Sequence, residues 1–202
     1  MFSICLALPA AAATYDNMLQ AIELDDHRTV SELLKRGVDV DTVNPKGESI
    51  LMLASRSGKP AVVKTLLSAR PKIDARNAQG ETALMLAAIS GRADIVKMLL
   101  DSGANVNPSG WTPLIYSAVN NHVEVARVLL TRGAQINAIS QNGMNALMMA
   151  AREGHVPMVL LLLEHGADAN YTSAFGYNAL GLATERGRKD VAQLLVRAGA
   201  RP

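Results

Sequence analysis

"GWTPLIYSAVNNHVEVARVLLTRGAQIN", residues 110–137, carries two helix signals and two turn signals in one short pass. Thr112 belongs to the small set of residues whose side-chain oxygen can cap a helix N-terminus. A short apolar run follows and ends near Asn121, a residue type that tolerates the left-handed backbone of a sharp turn. The next run brings Leu129 and Leu130 together with preceding Val positions at helical spacing, which makes a buried stripe. Gly133 closes that helix, and "AQIN" reads as a short extended link.

The same order of signals recurs along the chain. Repeats open at Gly47, Gly80, Gly110, Gly143 and Gly176, with a degenerate first copy from Thr14. Two residues after each start stands Asp16, Ser49, Thr82, Thr112, Asn145 or Asn178, so every copy is expected to begin its first helix with a side-chain cap. The turn between helices falls at Asp25, Gly58, Gly91, Asn121, Gly154 and Gly187. Neither helix is long enough to be stable alone, so the copies must stack. The repeats predict an all-α solenoid of about six helix-turn-helix units with protruding fingers: 14–46, 47–79, 80–109, 110–142, 143–175 and 176–202. Polar side chains on the first and last copies, such as Gln20, Asp26, Arg188 and Gln193, read as end caps.

Composition agrees. Of 202 residues 49% are hydrophobic but only 3% aromatic, so the core is built from Ala, Leu, Val, Ile and Met. Net charge is +2 and the charges are spread evenly, which argues against nucleic acid as a partner.

The quoted stretch resembles the ankyrin repeat, in its order G-x-T-P-L, paired Leu, then Gly-Ala-x-x-Asn, and the likeness runs from about Thr14 to Arg201. The histidine that often follows T-P-L in that family is replaced by Met52, Met85, Ile115, Met148 and Gly181, so methionine packing should stand in for a Thr–His network. In the second repeat the closing Gly-Ala becomes Arg70-Pro71, which predicts an irregular finger there. The third finger is shorter: five residues separate the last Asp or Asn from the next repeat glycine elsewhere, but only Pro108 and Ser109 follow Asn107. A notch is expected in the row of fingers, lined by Trp111.

"MFSICLALPAAAA", residues 1–13, is uncharged, too short to span a bilayer and ends in small residues, as the second half of a secretory signal does. It lacks the basic segment that normally opens such a signal. The expectation is a bacterial-type chain exported to the periplasm or secreted, cleaved after Ala13, with a cytoplasmic location as the alternative. Cys5 is the single cysteine, so the remainder can form no disulfide and offers no thiol nucleophile.

Chemistry is scarce. No phosphate-binding loop, nucleophile elbow or zinc-protease motif occurs, so neither an enzyme nor a cofactor or metal site is expected. His122 and His155 share a register position in adjacent repeats, but stacked helices roughly 8–10 Å apart would not bring both imidazoles onto one ion. "MVLLLLEHG", residues 158–166, is too short an apolar run to cross a membrane and fits the second-helix pattern instead.

What the resemblance implies is a module, expected to be monomeric, that binds a protein partner through the concave face made by finger tips and first helices. Candidate contact residues on that face are Glu48, Gln79, Glu81, Trp111, Asn142, Met144, Phe175 and Tyr177 around the repeat glycines, with Arg152 and Arg186 at the helix ends. The alternatives are an effector or immunity-type inhibitor, and a cofactor-linked accessory to an enzyme.

Overall fold

The computed structural model of the chain describes residues 8–201, with side chains from Tyr15 onward. The described residues form twelve helices and fall into two compact units, the first ending at Ala83 and the second starting at Leu84.

The first unit contains α1 (Leu8–Glu23), α2 (His27–Lys35), α3 (Ile50–Ser57) and α4 (Pro60–Ser68). Here α1 packs on α2 and α3 on α4, while α1 also meets α3 and α2 meets α4. The second unit contains α5 (Ala83–Ile89) from its second residue on, α6 (Ala93–Asp101), α7 (Pro113–Val119), α8 (Val123–Thr131), α9 (Ala146–Glu153), α10 (Val156–Glu164), α11 (Ala179–Glu185) and α12 (Lys189–Arg197). Within it α7, α9 and α11 stack in one row and α6, α8, α10 and α12 in another. These are the stacked helix pairs of an all-α repeat solenoid.

The stacking follows from where the apolar atoms lie. Second helices bury repeated triplets, such as Val62, Val63 and Leu66, Ile95, Val96 and Leu99, or Val125, Ala126 and Leu129. Each large aliphatic side chain so removed from water contributes about 2 kcal/mol. First helices contribute Met52, Met85 and Met148, all buried where the family's histidine is expected. Met52 also accepts at sulfur from the Ser49 backbone N–H (3.4 Å).

The caps form as expected at Ser49, Thr112, Asn145 and Asn178, whose side chains accept from the backbone N–H of Met52, Ile115, Met148 and Gly181. Asp16 is a correction, because α1 runs straight through it from Leu8. Alanine is the best helix former, so the alanines of 8–13 propagate the helix past the cap position. Residues 1–7 of the expected export segment lie outside the described residues. Of Leu8–Ala13 only the helical backbone is described.

The turns also follow the sequence. Asp25 and Asn121 take left-handed backbones (φ 55° and 56°) where the other repeats use glycine. Arg70 does the same at φ 56°, and the finger beyond it closes like its neighbours. The irregularity expected at Arg70-Pro71 is therefore confined to one bond. Val38, Ala104, Ala134, Ala167 and Ala200 each donate a backbone N–H to the helix they follow, and Pro71, at the same register position, has no N–H to give.

Candidate partner-binding surface

Each full-length finger is closed by one polar residue. Asn44, Asn77, Ser140 and Ser173 accept at the backbone carbonyl from Gly47, Gly80, Gly143 and Gly176 (2.8–2.9 Å). Their side-chain oxygens accept again from the residue after that glycine: Glu48, Glu81, Met144 and Tyr177. Two of the fingers add a short antiparallel bridge, Val43 to Ser49 and Thr172 to Asn178. The tips are thus closed by paired hydrogen bonds, and the residue after the glycine decides what each presents.

In the first unit that residue turns inward. Glu48 is only 6% exposed; its carboxylate accepts from Asn44 Nδ2 (2.8 Å) and pairs with Arg56. Burial alone would raise the Glu48 carboxyl, but the Asn44 and Arg56 contacts outweigh it and hold the group below its ordinary value. Burial, with the charges of Glu48 and Asp16, pushes the Tyr15 phenol up. Glu81 is half-buried and accepts from Asn77 Nδ2 (2.9 Å). The outward orientation expected of Glu48 is corrected, since a carboxylate four residues from an Asn amide finds its donor within its own finger. Glu81 is engaged in the same way, and Gln79 stays exposed at its tip.

In the second unit the same register position is apolar or aromatic. Trp111 is half-buried, its ring centroid 5.2 Å from that of Tyr116 at 32°. The shortened junction before it has bends where the full fingers have closed turns. Its Asn107 still bonds Gly133 O and Gln135 N (2.9 and 2.8 Å), so the trimming leaves the neighbouring repeat attached. Met144 is a second correction: at 6% exposure it lies under the surface, as an unbranched apolar chain with no polar tip to keep in water does.

Phe175 and Tyr177 remain outside, 66% and 48% exposed. Phe175 reaches over the preceding finger, so that a Cβ built on Gly143 would lie 3.5 Å from its Cδ2. Between these rings and the ends of α9 and α11 runs an open groove of about 440 Å³. Met144 and Leu182 form its floor, Asn142 stands at the finger end, and Arg152, Glu185 and Arg186 make the polar wall. The structure therefore gathers six of the ten candidate residues, Asn142, Met144, Arg152, Phe175, Tyr177 and Arg186, around one groove. Arg152 is engaged through Nε and Nη2 with Glu153 (2.8 Å each). The Arg186 side chain makes no hydrogen bond or ion pair among the described residues.

Two rows of bonds that hold the repeats together were not anticipated. Lys59, His122, His155 and Arg188, each just before a second helix, reach the carbonyls of Glu23, Ile89, Val119 and Arg152 in the preceding repeat (2.5–3.2 Å). The histidines are thus inter-repeat clasps. On the other side Asp41, Asn107, Asn137 and Asn170 accept from the backbone N–H of Lys72, Gln135, Asp168 and Arg201 in the following repeat (2.8–3.0 Å). The signal was present in the sequence, since one register position holds a donor from the second repeat onward and the other an Asp or Asn.

Among the described residues no three His, Cys, Asp or Glu groups converge to hold a metal, and no helix is long and apolar enough to cross a membrane. No curated protein matches the chain. The family model described as "Ankyrin repeats (3 copies)" matches residues 18–109, 69–140 and 132–202. With nearly the whole described chain covered by those matches, and the helix pairs, left-handed turns and fingers in register, the protein belongs to the ankyrin repeat family.

Proposed function

We propose that the protein binds a partner protein through its fingers and first helices, with the groove beneath Phe175 and Tyr177 as the principal contact. The ankyrin fold serves as a non-catalytic scaffold for protein–protein interaction. The observation that carries the finer reading is the pair of exposed aromatic rings above a buried Met144 and Leu182 floor. Exposed aromatics beside a well-packed floor are the commonest anchors of an interface. Trp111, half-buried at the trimmed junction, is a secondary contact.

The test is capture of partners from the native source by the wild-type chain and by a Trp111→Ala, Phe175→Ala, Tyr177→Ala variant, folding being checked by circular dichroism. Loss of the captured protein supports the reading, and unchanged capture removes it. We further propose that the chain is exported, because segment 1–13 is uncharged and ends in small residues, and that it acts as a monomer. N-terminal sequencing decides the first point: an intact Met1 in a cytosolic fraction would end it. Sedimentation of the purified chain decides the second.

A further inference from the structure

The groove in the second unit is amphipathic in one direction only. Its floor and one wall are apolar (Met144, Leu182, Phe175, Tyr177), so an apolar side chain gains by entering. The opposite wall is charged, but its two guanidiniums differ. Arg152 donates through Nε and Nη2 to Glu153, which neutralises it. Arg186 is exposed at the end of α11 with none of its N–H groups engaged among the described residues. A guanidinium offers five donors and no acceptor, and it binds a carboxylate better than any neutral group. Beside it stands the carboxylate of Glu185, also on the groove wall and exposed.

Resting on the groove reading above, we propose that the occupant is a short extended peptide segment of the partner with one large apolar residue and, close to it, a single acidic residue. The apolar side chain lies on Met144 and Leu182 between the two aromatic rings. The acidic side chain pairs with Arg186. Glu185 repels further negative charge, so the segment carries one acid rather than a run of them. At about 440 Å³ the groove has room for a short run of side chains.

The probe is a phage-displayed library of random peptides selected against the full chain. The expected outcome is enrichment of sequences with a large apolar residue and one Asp or Glu within about three positions, poly-acidic sequences being depleted. Arg186→Glu should weaken the enriched peptides by about 10-fold and move the selection toward Lys or Arg at the acidic position. Glu185→Gln should relax the bias against a second acid. Failure to enrich any peptide overturns the proposal. Enrichment without an acidic preference that is lost in a Phe175→Ser, Tyr177→Ser variant overturns it while leaving the groove as the binding site. Enrichment that persists in that variant overturns both. Both aromatic residues are exposed, so the variant retains the core, and its circular dichroism is compared with the wild type.

Discussion

The second repeat and the last repeat use the same register positions in opposite ways. In the second, the residue after the repeat glycine is Glu48, buried against Asn44 and paired with Arg56 from the end of α3. In the last, it is Tyr177, exposed; Glu185 stands in the register of Arg56, and Arg186, one residue on at the end of α11, is unengaged. One tip satisfies its own polar groups and offers little; the other leaves apolar surface and a charge unanswered. A repeat fold makes such a division possible because the scaffold bonds are made by other positions, leaving this one free to vary.

The largest expected effect tests that division directly. Phe175→Ala with Tyr177→Ala should weaken partner binding by about 100-fold or more, as loss of an aromatic anchor does, while stability changes by less than about 1 kcal/mol. Glu48→Ala should do the reverse. It strands the Arg56 guanidinium and the Asn44 amide and lowers stability by about 1–2 kcal/mol, with affinity unchanged. Paired binding and thermal denaturation measurements on the two variants check it. If Glu48→Ala also abolishes binding, the two tips are not divided in role.

A smaller effect appears on acidification. Because the folded Glu48 carboxyl lies below its ordinary value of 4.5, its contribution to stability is fully present above that pH and is lost as pH falls through the lower folded value. Glu48→Gln should flatten this acid limb. The Arg56 side chain is 44% exposed, so screening by water limits the difference to about 1 kcal/mol. Melting curves collected below pH 5 measure it, and an equally steep limb in Glu48→Gln would assign acid sensitivity elsewhere, Asp26 being next. That carboxyl is also lowered, by the Thr29 hydroxyl and backbone N–H that it caps at the start of α2.

The clasps are made in both repeats and should not divide. Lys59→Met in the second repeat removes the donor to Glu23 O, and Arg188→Met in the last removes the donor to Arg152 O. Each should cost about 1 kcal/mol in denaturant unfolding, since a carbonyl loses its protein partner and regains at best a water. His155→Ala, which frees Val119 O, belongs to the same series. A series that leaves stability untouched would make the stack depend on apolar burial alone.

How much of this was legible follows from the range of the interactions involved. Helix starts, turns and the Leu pairs depend on a residue and its near neighbours, so Ser49, Thr112, Asn121 and Leu129 could be read directly. Asp16 failed because the alanines before it extend α1, and cap chemistry yields to helix propensity when the helix has already begun. The surface was harder. Glu48 and Met144 sit in the same register as Tyr177, and nothing in the pattern says which side chain will turn inward. For Glu48 the outcome depends on Asn44, four residues back, and on Arg56, eight residues on; for Met144 it depends on having no polar group to hold it in water. The clasps were missed because their donors, Lys, His and Arg, look unrelated as residue types and become one class only as hydrogen-bond donors.

The smallest prediction compares the exits of the two repeats. Gly199 ends the last repeat with φ 87°, and Arg70 ends the second in the same register with φ 56°. A side chain in that region crowds its own carbonyl, a strain of about 1–2 kcal/mol that glycine does not suffer. Glycine returns part of this by loosening the unfolded chain, so Arg70→Gly should stabilise by only about 0.5–1 kcal/mol. Gly199→Ala should destabilise by a similar amount; a Cβ there meets nothing within 4 Å, so the cost is backbone strain alone. Pro71 sharpens the contrast, because even with glycine at 70 the next residue cannot donate the N–H that Ala200 gives to Leu195 O. Pro71→Ala on the Arg70→Gly background should therefore restore that bond, partly offset by the freedom the unfolded chain regains. If Arg70→Gly alone destabilises, the arginine makes a contribution at that turn beyond its backbone conformation, and the second repeat closes by a different rule from the last.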